Sequence, residues 1–213
     1  MRITEPKVFL IGETRIIEEG LSAYLEYLGV PEWKSDAPTD AERLIEVMGR
    51  LCYRSFKPGL NPNVTKIREH NKDYMANIVS TKHGSVIEHP TMNFIFADVS
   101  RVFTHELVRH RVGVAISQES LRFVRLDDLG MWLPTVIQEY EEVVRIFTSK
   151  FEELEKLQLE LAQYFKLDEP GTSFHKKKMI TSAMRRLAPE GLVTIVGWSA
   201  NPRAIRWLLE MRT

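Results

Sequence analysis

The sequence predicts an α+β fold: a β-sheet wrapped by helices, with an adjoining long-helix subdomain. Three observations predict it. Short apolar runs rich in β-branched and aromatic residues stand far apart in the chain, at residues 7–12, 92–99 and 192–198. Helix starts are marked by capping residues, most clearly Thr39 with Glu42 and Asn201 followed by Pro202. One apolar stripe, through Ile137, Tyr140, Val144, Phe147, Phe151, Leu154, Leu157, Leu161 and Phe165, keeps helical spacing over roughly 30 residues, or about 45 Å of helix.

Taken in order, residues 7–12 read as a first strand. From Thr39, a helix carries Leu44, Val47, Met48, Leu51 and Cys52 on one face, where Cys52 reads as a small buried thiol. A Pro- and Gly-rich stretch follows over residues 57–63. Val64, Ile67, Tyr74, Met75, Ile78 and Val79 suggest a second helix ending near Gly84. Residues 92–99 read as a strand. Ser100 caps a third helix running to about Arg111, and residues 112–116 and 121–126 look extended. Pro134 opens the long helix. Thr172 or Ser173 starts another that ends before Pro189, residues 192–198 return to strand, and Asn201 and Pro202 begin the last helix. We read residues 1–213 as a single domain with a helical insertion at about 134–188.

The composition sets limits. Apolar residues make up 44% of 213, enough for a real core. Charge balances at 29 basic against 29 acidic residues, so a general polyanion binder is not indicated. A single cysteine excludes an internal disulfide framework and a multi-cysteine zinc site. The N-terminus lacks a secretory pattern, and no apolar run approaches the roughly 20 residues that span a bilayer. The expectation is a cytoplasmic protein with neither a membrane nor a nucleic-acid partner, and no metal.

Basic charge is nonetheless local. Arg109, His110 and Arg111 are followed by eight residues and then Ser120, Leu121 and Arg122. Alone, Arg109 and Arg111 at a helix C-terminus suit the dipole as solvated cations. Gln118, Ser120 and Arg122 add an amide, a hydroxyl and a guanidinium nearby. Such groups recognise phosphate and the polar edge of a base, and Arg does so with a permanent bidentate charge. A second polar cluster, His83, Ser85, Glu88 and His89, also reads as a capped turn. His105 and His110 nearly match a zinc-protease pair, but five residues apart on a helix they lie about 140° round the axis and do not share a metal. No nucleophile elbow surrounds Ser120.

These residues together resemble the flavin-dependent thymidylate synthases. The Arg-His-Arg, eight residues, Ser120-x-Arg122 pattern is their signature, and His83-x-Ser85-x-x-Glu88-His89 resembles their upstream segment. Met184 to Pro189, Asn201-x-Arg203, and Met211-Arg212 resemble their C-terminal half. The resemblance covers residues 40–213. It implies reductive methylation of dUMP to dTMP, with 5,10-methylenetetrahydrofolate as carbon donor and FAD carrying hydride from NADPH. It also implies a homotetramer with active sites between subunits.

Position by position, the resemblance assigns FAD contacts to Arg109, His110 and Arg111, helped by His83, Ser85, Asn201, Arg203 and Trp207. It assigns dUMP to Gln118, Ser120, Leu121, Arg122 and Arg185, with Arg212 polarising the uracil ring at N3. Glu106 stands where many members have Gln and should face the nucleotide. Arg186 adjoins Arg185, though spacing to Pro189 favours Arg185. The chain ends one residue after Arg212, where members usually continue. Two other readings stand beside this one: a nucleotide- or RNA-binding module using the 101–125 basic patch, and a member that holds flavin without catalysis. Against the module stand neutral net charge and a lack of exposed-looking aromatics among the basic residues.

Overall fold

A computed structural model of the chain describes residues 1–212. Among them are six strands and eight α-helices in an α+β order: β1 (Arg2–Ile3), β2 (Lys7–Glu13), α1 (Glu18–Leu28), α2 (Asp40–Tyr53), α3 (Asn71–Ser80), β3 (Met92–Ser100), α4 (Arg101–Leu107), β4 (Val114–Gln118), β5 (Gly130–Met131), α5 (Thr135–Gln138), α6 (Glu141–Tyr164), α7 (Phe174–Met184), β6 (Val193–Ala200) and α8 (Pro202–Arg212). Short 3-10 turns precede β3 (Val86–Glu88) and follow α7 (Arg185–Leu187). The main sheet has the order β2-β3-β6-β4, so strands remote in sequence become neighbours, and β1 pairs in parallel with β5.

The chain forms two compact units. The first holds residues 1–9, 94–110 and 116–198; the second holds residues 10–93, 111–115 and those from Ser199 on. In the first unit, Leu121, Leu126, Leu129, Met131, Leu133, Phe151 and Leu192 form one buried cluster. In the second, Ile45, Tyr74, Ile78 and Val86 pack together, and Leu25, Val30 and Phe56 form a separate cluster.

Local side-chain capping explains four of the eight helix starts. The Thr39 side chain accepts from the Glu42 amide at 3.2 Å, Ser100 from Phe103 at 3.1 Å, Ser173 from Lys176 at 3.3 Å and Asn201 from Ala204 at 2.9 Å. Each such cap contributes about 1 kcal/mol.

Five expectations are corrected. The long helix is broken: α5 has 4 residues, Tyr140 is extended, and α6 runs for 24. Glu141 and Glu142 sit in the first turn of α6, where acid suits the positive end of the dipole, so the helix restarts there. The second helix begins only at Asn71, because the Asp36 carboxylate, 35 residues upstream, accepts the Asn71 amide at 2.7 Å. The third helix ends at Leu107, not Arg111. Residues 121–126 are turned, not extended: the Phe123 and Val124 amides both donate to the Ser120 carbonyl, while Leu121 and Leu126 are buried as anchors.

The fifth correction concerns α2, which buries a different face from its apolar stripe. Inside are Ala41, Ile45, Glu46, Val47, Gly49 and Arg50, whereas Leu51 and Cys52 are exposed. Glu46 and Arg50 tolerate burial because they satisfy each other. Arg50 Nε and Nη2 donate to Glu46 Oε1 at 2.8 and 2.6 Å, and its remaining donors reach the carbonyls of Ser55 and Arg68. Ser35 and Asn71 donate to the other Glu46 oxygen. The Arg50 guanidinium lies over the Tyr74 ring, 4.8 Å from its centroid, and burial pushes the Tyr74 phenol up to about 12. Helix α1 had no counterpart among the expected elements.

Candidate functional site

The residues singled out by the sequence divide between the two units, and each group has its own geometry.

In the second unit, His83 follows the end of α3, its amide donating to the Ile78 carbonyl at 3.0 Å. Its ring is half-buried and stacks on Tyr53, with centroids 6.0 Å apart and planes within 13°. Both line a cleft of about 290 Å³ that also carries Lys66, Arg68 and Tyr74. Ser85 opens the 3-10 turn and is exposed. Glu88, in the same turn, forms an ion pair with Arg203 of α8. Arg203 lies flat against Gly84: a Cβ there would come within 3.2 Å of the guanidinium carbon. Gly84 therefore gives Arg203 room beside His83 and Ser85 in sequence, and Glu88 fixes its direction.

Arg111 is exposed and two residues from Gly113, whose φ is +72°. That left-handed turn brings the Gly113 carbonyl to the amide of Asn201 at 3.2 Å. The Asn201 side chain meanwhile caps α8. The helix presents Trp207 with 55% of its surface exposed, and Arg212 in its last turn. His83, Ser85 and Arg203 are thus gathered by local contacts, and Arg111 is tethered through Gly113 to Asn201.

In the first unit, Glu106 lies half-buried in α4, and Arg109 and His110 follow that helix. The Arg109 side chain donates to the His105 carbonyl at 3.3 Å, covering a helix-end acceptor. His105 itself is paired with Glu190 at 3.0 Å, and no group of three or more metal-ligating side chains occurs among the described residues. On β4, the Gln118 amide donates to the hydroxyl of Thr104, a residue with no exposed surface, at 3.1 Å. That hydroxyl in turn donates to the Arg101 carbonyl at 3.0 Å. The Gln118 side chain is therefore anchored through its amide nitrogen.

Ser120 begins the following turn, its hydroxyl accepting from the Arg122 amide at 3.4 Å. Leu121 is buried, Arg122 exposed. Arg185 and Arg186 are both exposed, but Arg186 folds back on the Ser182 carbonyl at 3.1 Å.

Tyr53 and Thr104 were not singled out by the sequence. Tyr53 adjoins the lone cysteine but bears no motif, and Thr104 looks like any helical threonine. The expected lack of exposed aromatics among basic residues is also corrected: Phe123 is 53% exposed, with Arg122 and Lys178 over its ring.

The fold is that of an α+β protein, and each unit carries exposed guanidinium groups beside half-buried imidazole or amide groups, a chemistry suited to anionic ligands. Comparison with known proteins sharpens that class. A sequence model of the family described as thymidylate synthase complementing protein matches residues 35–213. A flavin-dependent thymidylate synthase of Mycolicibacterium gilvum is 34% identical over 197 residues, covering 90% of this chain and 76% of that protein. One of Corynebacterium diphtheriae is 34% identical over 185 residues, covering 85% of this chain and 71% of its own length. Among solved structures, thymidylate synthase X of Helicobacter pylori with FAD and dUMP is similar, at a TM-score of 0.60 and 18% identity over 98% of this chain and 84% of that one. The UMP/dUMP methylase PolB of Streptomyces cacaoi, bound with 5-Br UMP, gives 0.63 and 16%, over 100% and 79%. The chain belongs to the flavin-dependent thymidylate synthase family.

Proposed function

We propose that this enzyme makes dTMP from dUMP, with 5,10-methylenetetrahydrofolate as carbon donor and NADPH as reductant, through FAD and without a cysteine nucleophile. The observation that carries the reading is Arg203, packed on Gly84 and aimed by Glu88 beside the half-buried His83. A permanent cation on a side-chain-free backbone suits the diphosphate of a dinucleotide, and the exposed Trp207 ring suits its flat, apolar parts. Arg109, His110, Arg111, His83, Ser85, Asn201, Arg203 and Trp207 would hold FAD. When bound, FAD supplies hydride transfer.

Glu106, Gln118, Ser120, Leu121, Arg122 and Arg185 would hold dUMP. Gln118, fixed by Thr104, offers its carbonyl oxygen; Ser120 and Arg122 offer a hydroxyl and a cation from one turn. Buried Leu121 anchors that turn. Arg185 is preferred to Arg186 because Arg186 is occupied with Ser182.

The hard step is building a methyl group on uracil C5, a poor nucleophile. Arg212 at the N3–O4 edge would stabilise the negative charge that develops as C5 turns nucleophilic. Cys52, the only thiol, lies on α2 outside both groups, which agrees with a route needing no thiolate. A homotetramer with active sites at subunit interfaces is supported by β2, an edge strand whose Val8, Phe9, Leu10 and Ile11 are all exposed; such a strand is normally covered. We take residues 1–213 as one catalytic domain working in the cytoplasm.

The test is the visible spectrum of the purified protein, followed by anaerobic NADPH with and without dUMP. We expect a flavin spectrum that bleaches at a rate altered by dUMP. A colourless protein that takes up no added FAD would overturn the reading.

A further inference from the structure

Phe123 and Phe174 are 53% and 69% exposed, yet their rings lie near-parallel, 15° apart, with centroids separated by 6.2 Å. Lys178 Nζ sits 4.9 Å from the Phe123 centroid and the Arg122 guanidinium 5.7 Å from it. Phe174 begins α7, whose next residues are His175, Lys176, Lys177 and Lys178; no acid lies in the first turn. Cations at the positive end of a helix dipole oppose it. The nearby Asp168 is paired with Arg125 and is also within electrostatic reach of Lys177, so one carboxylate faces several cations. Among the described residues, Arg122, Lys176, Lys177 and Lys178 form no ion pair with a carboxylate. The exposed aromatic pair and the surplus of cations beside it suit a ligand that brings both an aromatic face and negative charge.

We infer that this surface of the first unit is a docking site for an aromatic ring carrying a chain of carboxylates: the p-aminobenzoyl-oligoglutamate tail of a folate. The inference rests on the folate-dependent reaction proposed above. The ring stacks on the exposed Phe pair, and successive carboxylates meet Lys176 and Lys177. Charge complementarity selects this occupant. The cations are few and bounded rather than set in a long stripe, and the chain is neutral overall, which favours a short anionic tail over a nucleic-acid strand.

The experiment measures binding of p-aminobenzoyl-triglutamate and p-aminobenzoyl-monoglutamate to the full chain by calorimetry. The same titrations are run on Phe174→Ala and on the double variant Lys176→Glu, Lys177→Glu, none of these residues being itself assigned to FAD or dUMP. The triglutamate is expected to bind roughly tenfold more tightly than the monoglutamate, as for two exposed charge pairs. Phe174→Ala should weaken both, and the double variant should erase the chain-length preference. Equal affinity for the two probes, or a preference that survives both variants, overturns the site. Salt-sensitive binding of a single-stranded oligonucleotide with no triglutamate preference also overturns it, in favour of nucleic acid. Formation of dTMP is scored separately with the monoglutamyl folate; its absence would count against the proposed reaction and leave the binding result intact.

Discussion

The backbone amide of Asn201 donates to the carbonyl of Gly113 across 3.2 Å, although 88 residues separate them in the chain. A methyl group at Gly113 would lie 2.5 Å from the Asn201 side-chain nitrogen, and φ there is +72°. One contact therefore sets both the course of the chain after Arg111 and the start of α8. Gly113→Ala should cost on the order of 1–3 kcal/mol from clash and strain together. We expect it to lower bound flavin sharply while circular dichroism stays unchanged. Full flavin content in the variant would show that this tether does not matter to the cofactor.

Thr104 is a positioning residue in this picture. Thr104→Val keeps shape but removes the partner of the Gln118 amide. Loss of one such hydrogen bond is worth about 1 kcal/mol, so KM for dUMP should rise roughly fivefold with kcat little changed. Thr104→Ser should restore it. An unchanged KM would detach Gln118 from dUMP.

The buried Glu46–Arg50 pair holds α2 to the loop that lines the Tyr53 and His83 cleft. Removing one member strands the other charge, and Arg50→Ala should lose about 3–5 kcal/mol in denaturant unfolding. Arg50→Lys should not rescue it, because an ammonium does not reach Glu46, Ser55 and Arg68 together. A loss below about 1 kcal/mol would mean that water replaces the guanidinium there.

Asp36 and His70 give the start of α3 a pH dependence. The Asn71 amide first, then His70, hold the Asp36 carboxyl below its ordinary 3.8. The hydrogen bond to Asp36 holds His70 above its ordinary 6.5. The Asp36 contribution is present above 3.8 and lost as pH falls through its lowered value. The His70 contribution is present below 6.5 and lost as pH rises through its raised value. Hydrogen exchange of the first α3 amides, corrected for intrinsic rate, should therefore be slower near about pH 5 than near about pH 9. Equal protection at both would dismiss the pair as a support.

Arg212→Ala should slow dTMP formation steeply while flavin content and dUMP-independent bleaching persist. The charge it is asked to stabilise is worth about 3–4 kcal/mol, or a 10²–10³-fold fall in kcat. Full turnover in the variant would remove the assigned role.

The capped helix starts were legible in the sequence because their chemistry is local: Thr39, Ser100, Ser173 and Asn201 each satisfy an amide three residues on. What was not legible depends on remote partners. The start of α3 is set by Asp36, and the buried face of α2 by Arg50 donating to Glu46 and by the hydrogen bonds of this pair to four other residues. Apolar periodicity alone pointed to the stripe from Leu44 to Cys52, of which Val47 is buried but Leu51 and Cys52 are exposed. Helix α1 did carry a local sign, Leu21, Tyr24, Leu25 and Leu28 before the left-handed Gly29, but it lacks a capping side chain at Ile17. Among site residues, motif spacing pointed to Arg203 and Gln118, whereas their supports, Gly84 and Thr104, are visible only in three dimensions.

The exposed Cys52 has a practical sequel. Its thiol donates to the Met48 carbonyl at 3.4 Å but stays exposed, and the sequence contains no other thiol. A maleimide dye would therefore attach once per polypeptide, and photobleaching steps of a single labelled particle would count its copies directly. The same label, one residue from Tyr53, would report by quenching on whatever enters the cleft beside His83.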